Sequence, residues 1–403
     1  MNGADTAFIL VCAALVMFMT PGLALFYAGM TRSKNVLGTI MQSFILLGLV
    51  SVLWAVIGYS LAFGSNIGGL FGGLDFAFLR GVGMDTANSP ADNLPHLLFM
   101  IFQCMFAVIT PALITGAFAE RMKFSGFLVF SALWLLLVYC PMAYWVWGGG
   151  WMGSMGALDF AGGAVVHMSS GAAALAAALV LGKRKGYGTR SFIPHNLPMT
   201  ILGAGILWFG WFGFNAGSAL AADGAAANAF VTTHLAAGTA ALTWILAEWL
   251  HAGKPTSLGA ASGCVAGLVA ITPAAGFVGP MAAILIGGAG GMLCYGGIML
   301  KNKFRYDDSL DVVGIHGVGG TLGALATGLF AREAVGGVNG LFYGNPGQLW
   351  IQFVSVVATW AFCFFASLVL LKLTDVVVGL RVSEEEEEQG LDVSMHSETG
   401  YQI

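Results

Sequence analysis

Apolar runs of about twenty residues recur from one end of the chain to the other, and this spacing constrains the fold more than any single motif. We read eleven of them: Ala7–Ala28, Val36–Phe63, Leu94–Ala119, Phe124–Tyr144, Ala161–Gly182, Leu197–Leu220, Asn228–His251, Leu258–Pro273, Val278–Leu300, Asp311–Phe330 and Gly347–Gly379. Coiled at about 1.5 Å per residue, such a run spans the roughly 30 Å hydrocarbon core of a bilayer. In lipid each backbone N–H and C=O must be paired within its own segment, so the runs fold as helices. The eighth is short and needs its flanks to cross. Hydrophobic residues make up 58% of the 403 and charged residues 9%, against roughly 25% charged in a soluble domain. That balance excludes a soluble globular protein and predicts an all-α integral membrane protein. The six cysteines all fall inside apolar runs and form no CxxC pair, so they read as small buried hydrophobes rather than disulfides or metal ligands.

The loop charges set the expected topology. Alternate loops carry Arg32/Lys34, Arg121/Lys123, Lys183/Arg184/Lys185/Arg190, Lys254 and Lys301/Lys303/Arg305, with Arg381 after the last span; the other set holds only Arg80 and Arg332. Basic loops mark the cytoplasmic side, which places the N-terminus outside and the C-terminus inside and requires an odd number of spans. The first residues lack a basic n-region and carry Asp5, so they read as a span rather than a cleavable signal peptide. Two regions are expected: an eleven-helix domain over 1–380, and an acidic cytoplasmic tail over 381–403 with five glutamates at Glu384–Glu388. Gly259, Gly263 and Gly267 recur every fourth residue and read as a helix-packing face.

Two spans hold an ionisable group deep inside. The stretch Asp159–Lys185 opens with a carboxylate, places His167 roughly two turns in, and stays apolar until Lys183. Asp311 and His316 open a second such stretch. Intramembrane ionisable groups are expensive and usually face a pathway or a bundle interior. The two histidine spans are the fifth and the tenth, so a unit of five helices repeats. An odd unit must insert its copy upside down, giving an inverted 5+5 repeat plus one extra C-terminal helix that braces the bundle. Meeting near the midplane, one imidazole N–H can point at the other ring's nitrogen. Asp311 reads as a helix N-cap. Asp159 reads either as a cap or as a source of negative field at the outer mouth.

Aromatic residues crowd the outer end. Tyr144-Trp145-Val146-Trp147 precedes Asp159 and suits either an interfacial belt or a cation–π site. The sixth span contributes Trp211 and Phe214, with Phe214, Gly217 and Ser218 at i, i+3 and i+4; Phe106 sits in the third. Bulky rings beside an apolar lumen can gate it.

LFYAGMTRSKN (Leu25–Asn35), GAFAERMKF (Gly116–Phe124), DFAGGAVVH (Asp159–His167), GWFGFNAGS (Gly210–Ser218) and DVVGIHGVGG (Asp311–Gly320) together resemble the ammonium transporter (Amt/Rh/methylammonium permease) family, and the tail's EEQGLDV (Glu387–Val393) fits its prokaryotic members. The resemblance implies an outer ammonium site at Phe106, Trp147 and Ser218. It implies a gate at Phe106 and Phe214, a pore pair at His167 and His316 with Trp211 close by, and Asp159 as supporting carboxylate. It further implies a homotrimer with one pore per subunit, a multi-pass protein of the prokaryotic plasma membrane, no cofactor or metal, and a cytoplasmic PII-type regulator. The function expected is transport of ammonium or ammonia rather than enzymatic turnover. An ammonium sensor signalling through the tail is the rival. No TVGYG filter suggests a potassium channel, and no HExxH suggests a metalloenzyme.

Overall fold

The computed structural model describes residues 1–401 and is almost wholly helical. Among these residues the bundle comprises α1 (Gly3–Met30), α2 (Ser33–Phe63), α3 (His96–Phe118), α4 (Phe124–Met155), α5 (Gly163–Leu181), α6 (Leu197–Gly217), α7 (Gly224–Ala252), α8 (Ser257–Ile271), α9 (Pro280–Phe304), α10 (Val313–Phe330) and α11 (Pro346–Val378). Ten are long and apolar enough to cross a membrane; α8, with 15 residues, is the shorter exception.

Burial separates centre from rim. In the most apolar window of α3, 89% of residues are buried and in α5, 83%, whereas α2 buries 28%. A helix apolar all round belongs in the interior, so α3 and α5 form the centre with α10 beside them. The glycine repeat of α8 does what its spacing suggests: Gly259, Gly263 and Gly267 lie against Glu248, Trp244 and Ala236/Ala240 of α7. α11 is tied to its neighbours through Trp134 Nε1 of α4 donating to Ser367 Oγ (2.9 Å) and Trp360 Nε1 donating to Thr321 Oγ1 of α10 (2.8 Å).

At the end carrying the basic loops, several cations are consumed internally. Glu120 pairs with Arg32 (2.8 Å) and Arg184 (3.2 Å), and Arg184 also pairs with Asp307 (2.9 Å). Burial pushes the Glu120 carboxyl up, but the two guanidiniums outweigh it and hold the group below its ordinary range. Buried Arg121 donates to the carbonyls of Ala117 and Asp307. Removing one partner of such a cluster strands a buried charge. The cluster thereby ties the far ends of α1, α3 and α5 to the loop before α10.

The tail is folded onto this end. Lys123 N–H donates to Leu380 C=O (2.7 Å), and Val382 N–H to Arg121 C=O (3.1 Å). Ser383 and Glu386 then form a capping box for α12 (Glu384–Gln389), followed by α13 (Leu391–His396). Glu387 is buried and accepts from Lys185 N–H (2.6 Å) and the Arg381 guanidinium (3.0 Å). Lys185 also pairs with Glu384 and Glu388. Asp392 caps α2 by accepting from Leu37 and Gly38 N–H. Opposite charge therefore draws the tail in, but more selectively than the loops suggest. Arg184 is committed to Glu120 and Asp307, and Lys301 to Asp308 C=O and Asp311.

Candidate functional site

Opposite the basic loops, an open cavity of about 310 Å³ is lined by Phe99, Gln103, Phe106, Trp147, Phe160 and Ser218 among others. Trp147 lies within α4, just after its helical stretch ends at Val146 and before the short turn Trp151–Met155, and donates its indole N–H to Asp159 C=O (2.9 Å), which fixes the ring at the cavity wall. Ser218 ends α6; its hydroxyl donates to Phe214 C=O (2.8 Å), leaving oxygen lone pairs to accept. Gln103, one turn before Phe106, joins this wall. The sequence reading missed it, and its only signal was an amide on the same face as Phe106 at i, i+3.

A stack of rings closes the cavity floor. Phe106 meets Trp147 edge-on at 6.0 Å and Phe214 at 4.2 Å between centroids. Below them His167 stacks on Trp211 at 5.4 Å and 20°, and lies 6.1 Å from Phe214. Trp211 is held by its indole N–H, which donates to Thr272 Oγ1 (2.9 Å). His167 Nδ1 lies 3.2 Å from His316 Nδ1. That bond needs one nitrogen protonated and the other bare. Both imidazoles are buried, and His167 Nε2 has no protein partner among the described residues. The space around the pair is lined by Leu23, Phe26, Ile109, Leu113 and Val265, and has a volume of about 10 Å³. One water needs roughly 10–15 Å³, so the passage admits a single small molecule at most.

The sequence builds this pair by matching local devices. Each histidine lies in a π-helical turn, Gly163–Met168 and Val313–Gly317, a wide turn frequent at functional sites. The Asp159 carboxylate accepts from the N–H groups of Gly162, Gly163, Ala164 and Val165 and so caps this turn. Asp311 does not cap α10, contrary to the expectation. Asp308 does, accepting from Val312 and Val313 N–H, while Asp311 adopts a positive φ (63°) and turns to Lys301. The chain turns at Asp311 itself, which carries its side chain away from the helix end.

Bare backbone lets the two turns touch. A Cβ on Gly171, four residues after His167, would lie 2.5 Å from Gly317 Cα and N; one on Gly320, four after His316, would lie 3.0 Å from Gly163 C=O and His167 Cβ. The relation is reciprocal: each histidine is followed at i+4 by a glycine that seats the other histidine's turn. The predicted residues Phe106, Trp147, Ser218, Phe214, Trp211, His167 and His316 thus fall along one line, with Asp159 behind it.

Residues 7–401 match the model of the Ammonium Transporter Family. The chain is 56% identical over 405 residues to an ammonium transporter of Bacillus subtilis (strain 168), covering 100% of this chain and 99% of that one. It is 50% identical over 401 residues to ammonium transporter Amt1 of Archaeoglobus fulgidus, covering 100% of both. The fold is similar to the crystal structure of Candida albicans Mep2 (TM-score 0.90, 37% identity, 96% of this chain and 88% of that one). It is also similar to a Sensor Amt Protein (TM-score 0.90, 29% identity, 98% of each chain).

Proposed function

The chain belongs to the ammonium transporter family, and from that premise we propose that it gathers ammonium in the Trp147 cavity and passes it as ammonia along the His167–His316 line. The observation that carries this reading is the change of environment along one path: an open aromatic cavity, two phenylalanines packed against each other, then an apolar passage of about 10 Å³ holding two imidazoles. Ammonium and potassium have nearly the same size and charge, so a sieve cannot separate them. Ammonium donates hydrogen bonds and can lose a proton; potassium does neither. Trp147 offers a cation–π face, Ser218 and Gln103 offer oxygen acceptors, and the passage beyond is costly for any intact cation. Neutral ammonia crosses at less cost and finds hydrogen-bonding partners on the imidazoles. The proton either stays outside or moves along the histidine pair.

The finer architecture is part of the same proposal. Eleven spans, α1–α5 and α6–α10 as inverted halves, an outside N-terminus and an inside C-terminus fit the basic loops and the reciprocal glycines. A homotrimer with one pathway per subunit, residence in a prokaryotic plasma membrane, and a domain division at residue 380 follow from the family resemblance and the docked tail. Methylammonium uptake with simultaneous current recording in reconstituted liposomes is the test. Uptake supports transport, and its electrical signature reports whether a proton accompanies the substrate. A protein that binds but carries nothing supports the sensor reading, which the likeness to a Sensor Amt Protein and the folded tail favour as the alternative.

Trp147→Leu keeps bulk and removes the cation–π face. We expect its apparent ammonium affinity to fall by roughly two- to thirtyfold, matching about 0.5–2 kcal/mol, with saturated uptake retained. An unchanged affinity returns Trp147 to the role of an interfacial belt residue. For the tail, removal from Ser383 onward is expected to leave a folded bundle whose uptake is reduced or no longer responds to a PII-type protein. Normal uptake together with normal inhibition by the cognate PII protein would make the docked tail inconsequential.

A further inference from the structure

Gln352 on α11 is buried and has every hydrogen-bonding position of its amide engaged. Its Oε1 accepts from Leu158 N–H (2.7 Å) and from the Gln348 amide (3.4 Å), and its Nε2 donates to Leu158 C=O (2.8 Å) and Ala324 C=O (3.0 Å). Gln348 in turn donates to Gly156 C=O (3.0 Å). Both backbone groups of Leu158 are therefore read by one side chain, as a neighbouring strand would read them. Reversing the amide would set an NH₂ against an N–H, so the network fixes its orientation. The approach depends on Gly328: a Cβ there would lie 2.9 Å from Leu349 Cα and 3.0 Å from Gln352 Cγ.

What Gln352 holds is the residue before Asp159. The Asp159 carbonyl receives the Trp147 indole N–H, and its carboxylate receives the four N–H groups that start the turn carrying His167. Ala324, its other partner, lies two turns beyond His316 on α10. We infer that Gln352 is a positioning residue for transport: through Leu158 and Asp159 it sets both the Trp147 ring at the cavity wall and the His167 turn below it. The inference rests on the transport reading above.

Gln352→Met keeps length and burial and removes both halves of the Leu158 clamp; Gln348→Leu weakens it from one side and serves as the milder variant. In Gln352→Met we expect backbone amide hydrogen exchange to speed up over residues 158–167 and not over α7. We also expect apparent methylammonium affinity to weaken by roughly tenfold, through the Trp147 ring, and saturated uptake to fall, through the His167 turn. In a Trp147→Leu background the added Gln352→Met change is expected to cost less than a further twofold in affinity, because that loss acts through the Trp147 ring, while the fall in saturated uptake, which acts through the His167 turn, persists. Unchanged exchange over 158–167 overturns the inference. So does an unchanged affinity where the wild type takes up methylammonium, or a full tenfold added loss of affinity in the Trp147→Leu background. Wild-type liposomes that take up none reject the transport reading instead, and the exchange measurement then still decides whether Gln352 positions the segment.

Discussion

His167→Asp and His316→Glu are expected to raise potassium flux well above that of the native protein. The two imidazoles share a hydrogen bond of 3.2 Å in a passage otherwise lined by apolar side chains. A cation there loses its hydration and meets no compensating charge. A fixed carboxylate at about 4 Å offsets roughly 4 kcal/mol of that loss at an effective dielectric of 20, equivalent to about three orders of magnitude in occupancy. Potassium or rubidium flux and current in liposomes, measured beside methylammonium uptake, provide the check. The mutant current should be carried by the intact cation and therefore follow the potassium gradient. If both variants fold and neither raises potassium flux, the pair lies off the pathway and the proposed route is wrong.

Gly171→Val is expected to prevent the histidine pair from forming. A Cβ at Gly171 falls 2.5 Å from Gly317 Cα and N, and both of those are backbone atoms with nowhere to move. Relief requires separating α5 from α10 at a contact whose residues are buried; overpacking of this kind costs about 1–3 kcal/mol for well-accommodated cases and more where backbone is the obstacle. We expect a large loss of thermal stability in detergent, with Gly171→Ala intermediate. Gly205 on α6 supplies the control, since nothing lies within 4 Å of a Cβ placed there. Gly205→Ala should be neutral or slightly stabilising, as glycine is the poorer helix former. Equal melting temperatures for Gly171→Ala and Gly205→Ala would show that the two turns are not in firm contact.

The ionisable residues of the site were legible because of where they stand. A single histidine in an apolar run reads most simply as a core residue bonded to a backbone carbonyl; it was the recurrence of such a run five spans later that pointed to a pair. Phe106, Trp147, Phe214 and Ser218 were reached through the family resemblance, because aromatic residues near a membrane surface have an ordinary use as a belt. The span pattern was legible for the same reason as the histidines: lipid removes the alternatives to a helix, so composition alone decides.

Other features depended on tertiary contact. Asp307, Asp308 and Asp311 lie within five residues, and any could have capped α10; the positive φ at Asp311 and the claims of Lys301 and Arg184 left Asp308 at the helix end. Arg32, Arg121 and Arg184 read as markers of membrane sidedness, yet they bond to Glu120, Asp307 and backbone carbonyls brought together only by folding. Gln103 and Gln352 carry no charge and repeat with no period. What an amide does is set by the few groups within 3 Å of it, and those come from segments far away in the chain: Leu158 and Gln352 are 194 residues apart. Hydrophobic burial in a bilayer is a one-dimensional signal, and the sequence by itself determined the spans and their buried ionisable groups. Short-range directional bonds are three-dimensional, so only the folded bundle decided which carboxylate caps, which arginine is buried and which amide positions the site.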